Sequence, residues 1–296
     1  MTNASGASPA PRGRRPAHGE PVIDRAFALL TAFTATRRSM TLAELSRASG
    51  TPPSTALRLA RRLLQLGALE RGADGRYVIG LRLWELASLA PRGHGLREVA
   101  LPYMEDLYEA THQHVLLAVR DGAEALLVER LSARDAVNVL YRVGGRLPLH
   151  STGVGLVLLA HAEAQFQDRI LARPLVHEPE GVPVSPAALR RTLAEVRRTG
   201  LAVVERSEPG PVVAVAAPVH GGDDSVVAAL SVVVPAGGAE PRGLSPAVRA
   251  TARALSRSLG SPRSAAPPAP ARDPFPRPRR MWPMARHRGT FAGIAR

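Results

Sequence analysis

The sequence predicts an α+β chain in two unequal parts: a short segment of three helices closed by a hairpin, then a larger body of strands grouped among helices. Apolar residues recur at helical spacing from Val22 to Leu64, then give way to two short runs around a Gly-containing turn. Beyond residue 95, short Val- and Ala-rich runs come in two groups of three instead of alternating strictly with helices, the pattern of an α+β body. A length of 296 residues accommodates two such domains and tails.

Each element follows from local chemistry. Residues 1–20, rich in Ala, Pro, Gly and Arg, are expected to form a disordered basic arm. Val22, Ala26, Leu29, Leu30 and Phe33 share one helical face, giving a first helix to about Ala35. Thr41 stands three residues before Glu44, a capping-box spacing that starts a second helix through Leu45 and Ala48, stopped at Gly50. Thr51 is the expected cap of a third helix, with Pro52 at its first position, running through Leu57, Ala60, Leu63 and Leu64 to Gly67. Leu69-Glu70-Arg71, the Ala73-Asp74-Gly75 turn and Arg76–Ile79 read as strand, turn and strand. Three helices, a short turn between the last two, and a hairpin are the layout of a winged helix-turn-helix over residues 21–80. Leu81–Leu89 reads as a connecting helix within a linker of residues 81–94. In the body, residues 95–260, strands are expected at Val115–Arg120, Ala125–Arg130, Ala136–Arg142, Leu201–Glu205, Val212–Val219 and Val226–Val234. Helices are expected at Leu96–Ala110, Gly153–Glu163, Pro186–Arg198 and Pro246–Leu259. Residues 261–296 form a Pro- and Arg-rich tail expected to be disordered.

Composition narrows the function. The absence of Cys excludes disulfides, Cys-ligated zinc, iron–sulfur clusters and a thiol nucleophile. No run approaches the roughly 18 apolar residues of a membrane helix, and no secretory apolar region follows the start, so a soluble, cytoplasmic chain without a membrane partner is expected. The net charge is +14, and all 39 basic residues are Arg. Residues 21–86 carry +5 and the two tails +2 and +7, whereas residues 87–260 are neutral. A compact basic head on a neutral body points to polyanion binding by the head and to sensing or assembly by the body.

On the third helix, Ser54, Thr55, Arg58, Arg61 and Arg62 fall opposite the apolar face. Ser and Thr reach phosphates or base edges, and Arg makes bidentate contacts to guanine, so this face is the candidate reader of a DNA major groove. Arg76, just past the hairpin turn, is placed for a phosphate or the minor groove, and Arg37 and Arg38 for the backbone.

These residues also carry a resemblance. Asp24-Arg25-Ala26, Leu29-Leu30, Leu42-Ala43-Glu44-Leu45, Pro53-Ser54-Thr55, Arg58-Leu59, Leu66-Gly67-Ala68-Leu69-Glu70, Gly75-Arg76-Tyr77 and Gly80 resemble the DNA-binding half of the isocitrate-lyase-regulator (IclR) family. Leu96-Arg97, Leu101-Pro102, Leu107, the run Arg146–Gly153, Pro209-Gly210, Ala216-Ala217-Pro218-Val219 and Ala228-Ala229-Leu230-Ser231 resemble its effector half. The resemblance covers residues 22–260. It implies a transcriptional regulator that binds a double-stranded operator as a homodimer or homotetramer, with a GAF-like antiparallel-sheet domain that takes a small-molecule effector.

By that match Gly153, Val154, Glu205, Ala214, Ser231 and Val233 surround the effector, with backbone amides at Gly153 and Val154 suited to a carboxylate. Ala214 and Val233 stand where other members place Cys and Ser. The lining is thus more apolar than in members that bind short organic acids. A larger, less polar effector or a pocket without ligand are the alternatives this leaves.

The remaining constellations point to no chemistry. His112 and His114 lack an acidic partner at ligand spacing, so no metal is expected. His150 and Ser151, adjacent on an expected strand, would face opposite sides and cannot form a dyad. Glu205 and Glu208 have no supporting groups, and Gly153-Val154-Gly155 lacks the third glycine of a dinucleotide site. No catalytic residue, no cofactor and no enzyme activity are expected. The tail arginines Arg277, Arg279, Arg280, Arg286 and Arg288 read either as salt-sensitive DNA contacts or as a plain extension.

Overall fold

A computed structural model describes residues 21–34, 36–90, 93, 95–132, 141–177, 181–206, 210–237 and 241–262. Both tails, Ala35, Glu208 and most of the strand expected at Ala136–Arg142 lie outside them.

The N-terminal part follows the expected order with one unexpected strand, β1, between the first two helices: α1 (Val22–Thr31), β1 (Ser39–Met40), α2 (Leu42–Ala48), α3 (Pro53–Gln65), β2 (Leu69–Arg71) and β3 (Tyr77–Ile79). The strands form a three-stranded sheet in the order β1-β3-β2. Leu29, Met40, Leu45, Leu59, Leu69 and Tyr77 meet in one buried core beneath α3. The capping box is complete: the Thr41 side chain accepts from the Glu44 amide at 3.3 Å, and the Glu44 carboxylate accepts from the Thr41 amide at 2.8 Å. Gly50 and Gly67 take positive φ, as helix stops at these places require.

Two local expectations change. Helix α1 stops at Thr31, whose hydroxyl donates back to the Phe27 and Ala28 carbonyls, and a turn between Thr34 and Arg37 follows. Thr51 does not cap α3: Pro52 is the cap residue and Pro53 opens the helix. Thr51 is instead buried against α2, where its amide donates to the Ser46 carbonyl and its own carbonyl accepts from the Ser46 hydroxyl at 2.6 Å. That clasp fixes the tight turn between α2 and α3.

Helix α4 (Leu81–Ser88) leaves the hairpin directly. The Leu81 amide donates to Glu70 at 2.7 Å, the Gly80 amide donates to the Ala68 carbonyl, and a Cβ on Gly80 would stand 2.1 Å from the Gly67 carbonyl oxygen. The start of α4 is therefore fastened to β2.

The body is a six-stranded antiparallel sheet in the order β6-β5-β4-β11-β10-β9. Its strands are β4 (His114–Asp121), β5 (Glu124–Leu131), β6 (Arg146–Pro148), β9 (Ala202–Arg206), β10 (Val212–His220) and β11 (Val226–Pro235). Alternation with period two sends Val115, Leu117, Val213, Val215, Leu230 and Val232 to one face, beneath α5 (Leu96–Thr111) and α9 (Pro241–Ser258). Leu116, Ala118, Ala216 and Val233 go to the other, against α6 (Gly153–Ala160), with α7 (Ala164–Leu171) and α8 (Pro186–Thr199) outside it. A two-stranded hairpin, β7 (Val176–His177) with β8 (Val182–Pro183), stands apart from the main sheet. Strand β6, helix α7 and this hairpin are additions to the expected list. Helix α9 begins five residues before Pro246, which lies inside it.

Helix α6 is buried along its whole length and sits on the sheet through two glycines. A Cβ on Gly155 would stand 2.4 Å from the Pro148 carbonyl oxygen and 2.7 Å from Leu149 Cα. One on Gly153 would press on the Ala214 and Ala216 methyls at 3.3 Å. Thr152 caps the helix by accepting from the Gly155 amide at 3.1 Å.

Two outcomes follow from these contacts. Gly155→Ala forces α6 off its seat and should cost on the order of 1–3 kcal/mol in urea unfolding, with little change in slope. The amide and hydroxyl of Thr41, and then the Arg76 guanidinium, hold the Glu44 carboxyl below its ordinary value. The stabilisation this adds is present above the ordinary carboxylate range and is lost as pH falls through the lowered value. The stability gap between wild type and Glu44→Gln should therefore close on acidification, as read by urea midpoints at several pH values.

Candidate functional site

The exposed side of α3 carries one stripe. Ser54, Arg58, Arg61 and Arg62 are exposed and Thr55 is half-buried, while Ala56, Leu59, Ala60 and Leu63 face the core. Arg62 donates to Gln65 at 3.1 Å. Arg58 and Arg61 form no hydrogen bond or ion pair among the described residues, so both guanidinium groups face solvent. The structure thus gathers all five helix residues singled out in the sequence on one surface.

Arg76 behaves differently. Its guanidinium donates to Glu44 at 2.5 Å and to the Ser39 carbonyl at 3.3 Å, bridging the start of β3 to the cap of α2. It is held within the head as a brace. Beside it a cleft of about 330 Å³ is lined by Arg37, Ser39, Glu44, Arg47 and Arg76. Arg47 was missed in the sequence because α2 offers no pattern to single it out. Only the fold brings it next to Arg37, ten residues away in the chain.

On the body, strand register decides which candidates meet. Ala214 pairs with Val233, and Ala216 with Ser231. All four lie on the α6 face, where Gly153 rests on Ala214 and Ala216. Val154 is buried in the same cluster, and Ser231 is 1% exposed. Five of the six proposed lining residues therefore come together. Glu205 does not: it pairs with Val213, whose side chain is on the α5–α9 face, so the Glu205 carboxylate projects from the far side of the sheet and is exposed. Its place in sequence, close to the end of β9, hides this one-residue parity.

The same register adds polar groups that the sequence did not place on this face. His114 pairs with Val233, is buried, and shares a hydrogen bond with Ser132 at 2.9 Å. Arg130 pairs with Leu116, which pairs with Ser231. Arg206 pairs with Val212, on the side of Ala214, and its guanidinium donates to the Tyr141 hydroxyl and lies over the Tyr141 ring. Arg130 donates to the Tyr141 carbonyl at 2.7 Å. The Ser151 hydroxyl, just before α6, is buried with no hydrogen-bond partner among the described residues. A floor of Ala, Val and Gly with arginine and histidine at one end suits an apolar molecule with an anionic group.

The other constellations stay apart. His112 ends α5 in a left-handed conformation and is not on a strand. His150 lies in the turn before α6, its Nε2 donating to the Val176 carbonyl at 2.7 Å. Among the described residues no cluster of His, Asp and Glu is arranged to hold a metal, and no helix is long and apolar enough to cross a membrane.

Comparison with known proteins covers both halves. Residues 22–73 match the model of the IclR helix-turn-helix domain, and residues 90–257 that of the bacterial transcriptional regulator IclR C-terminal domain. The transcriptional regulator XynR of Escherichia coli K12 is 27% identical over 245 residues, 81% of this chain and 97% of its own. The repressor AllR of the same strain is 29% identical over 261 residues, 84% of this chain and 96% of its own. Among solved structures, an IclR homologue of Microbacterium hydrocarbonoxydans complexed with 4-hydroxybenzoate is 37% identical, with a TM-score of 0.75 over 81% of this chain and 99% of that one. A regulator from Silicibacter sp. TM1040 is 31% identical, with a TM-score of 0.69 over 84% and 98%. The helix-turn-helix with its hairpin, the six-stranded sheet and both family matches agree in order and extent, and the chain belongs to the IclR family of bacterial transcriptional regulators.

Proposed function

We propose that the chain binds an operator in double-stranded DNA through α3, as a homodimer or homotetramer, and that a small molecule on the α6 face of the sheet sets its affinity. The observation that carries the DNA half is the α3 stripe, with Arg58 and Arg61 uncommitted to any partner among the described residues. Ser54, Thr55 and Arg58 at the N-terminal half read base edges, while Arg61 and Arg62 meet the backbone. The Arg37–Arg47 cleft takes a phosphate, and Arg76 acts through Glu44 by holding the wing in place. In this reading residues 21–80 form the DNA-binding domain, 81–94 the linker and 95–260 the effector and assembly domain, working in the cytoplasm beside the chromosome.

Exposed apolar side chains support assembly. Ile23 and Phe27 on α1 and Leu81 and Trp84 on α4 are each 60–70% exposed, more than isolated surface residues require. Covering them with a second copy presents two α3 helices at one spacing, which matches a two-fold operator.

The effector rests on Gly153, Val154, Ala214, Ser231 and Val233, with its anionic end toward Arg206 and His114. An aromatic acid fits this chemistry, and the relative complexed with 4-hydroxybenzoate favours that class. The ligand is bound and released unchanged. It shifts the population of subunit arrangements and so the simultaneous engagement of two half-sites.

Binding of the full chain to the DNA upstream of its own gene, measured against a scrambled duplex, tests the reading. Arg58→Ala should remove discrimination at one or two base pairs, about 1–3 kcal/mol each. Equal weakening on every sequence contradicts base reading by α3. Calorimetry with 4-hydroxybenzoate tests the second half: Arg206→Ala should weaken binding by about 1.5–3 kcal/mol, the worth of a hydrogen bond to a charged group. Heat of binding that Arg206→Ala leaves unchanged removes Arg206 from the site.

A further inference from the structure

The sheet ends at β9, whose outer edge pairs with no strand among the described residues. A groove of about 760 Å³ runs beside this edge between α8 and α9. Val203, on its floor, is 49% exposed. Arg249 of α9 lines the same groove, and its Nε is buried with no hydrogen-bond acceptor among the described residues. Glu205 projects from the same face of β9 as Val203, exposed and in no ion pair among the described residues. An unmatched cation and an unmatched anion thus stand on one face of a free sheet edge.

We propose that β9 pairs antiparallel with β9 of a second copy of this chain, continuing the sheet across a two-fold axis, and that Glu205 of each copy neutralises Arg249 of the other. This rests on the homo-oligomer reading above and names a second interface beside the apolar surface of α1 and α4.

The register follows from symmetry. A two-fold axis perpendicular to the sheet keeps every side chain on its own face, so only residues of the same parity can stand opposite each other. Centring the pair on Glu205 sets two carboxylates face to face, which is unfavourable. Centring it on Val203 leaves Glu205 and Arg206 beyond the end of the opposing strand. Centring it on Val204 pairs all five residues of β9: Ala202 with Arg206, Val203 with Glu205, and Val204 with its own copy. The incoming carboxylate then stands about 5 Å from Val203, beside Arg249. Arg206 does not oppose this contact, because its guanidinium is drawn to Tyr141 on the other face.

A second copy suits the groove better than the chain's own tails. Residues 1–20 and 261–296 are rich in Pro, which donates no ladder hydrogen bond, and in Arg, which Arg191 and Arg249 repel, while the groove's carboxylate, Glu195, is already paired with Arg198. The family's effector face lies on the other side of the sheet and is untouched by this contact. Two different two-fold contacts on one chain produce a dimer of dimers.

Light scattering of the purified full chain at micromolar concentration, with melting curves as the control for folding, tests the contact. Glu205→Arg and Arg249→Glu should each halve the mass of the assembly, the double charge reversal should restore it, and Val203→Glu, which sets a carboxylate opposite the incoming Glu205, should halve it with both original charges in place. An oligomer whose mass none of the three single changes lowers overturns the β9 contact while leaving the oligomer reading intact. Halving by the single reversals without recovery in the double overturns the Glu205–Arg249 pairing. A wild-type monomer overturns both the contact and the oligomer reading on which it rests.

Discussion

The close seating of α6 on the sheet governs the rest of the body. An eight-residue helix that is apolar on every side cannot face water, and it reaches full burial only by lying within touching distance of small residues. Gly155 lets the helix begin against the Pro148 carbonyl, and Gly153 lets it rest on Ala214 and Ala216. Had β10 carried larger residues there, the helix would stand off and its cap at Thr152 would lose its geometry. Past the helix N-terminus the same face of the sheet continues into Ser231, Val233 and His114, which lie in register and are buried.

The head depends on a smaller set of contacts, concentrated at Glu44. One carboxylate completes the cap of α2, receives Arg76 from the wing, and sits beside Arg47 in the cleft. The Ser46–Thr51 clasp then fixes α3 against α2. Together they make the wing, the second helix and the reading helix one rigid piece, so that the side chains of α3 are offered to DNA without prior rearrangement. In the body, the Arg97–Glu129 ion pair plays a comparable part in fastening α5 to β5.

Much of this was legible in the sequence because it is local. The Thr41–Glu44 spacing, the glycines at 50 and 67 and the stripe Ser54–Arg58–Arg61 are fixed by helix geometry alone, and each appears where the spacing puts it. The period-two runs gave the long strands to within a residue or two. What escaped is what depends on distant partners. Thr51 looks like a helix cap, yet the buried Ser46 hydroxyl claims it. Arg76 looks like a free wing cation, yet Glu44, 32 residues earlier, holds it. Glu205 differs from its neighbours Val204 and Arg206 by one step of strand parity, and only the pairing with β10 tells which face each takes. His114, Arg130 and Arg206 share the α6 face of the sheet through three separate strand pairings, none of which a linear reading contains.

The fastening of α4 to the hairpin has a mechanical meaning. With the Leu81 amide on Glu70 and Gly80 pressed against Gly67, no pivot exists between the wing and the helix that follows it. Eight helical residues at about 1.5 Å each make α4 an arm some 12 Å long, rigid with the head. A rotation imposed at the far end of that arm swings α3 through the same angle, without bending any part of the head.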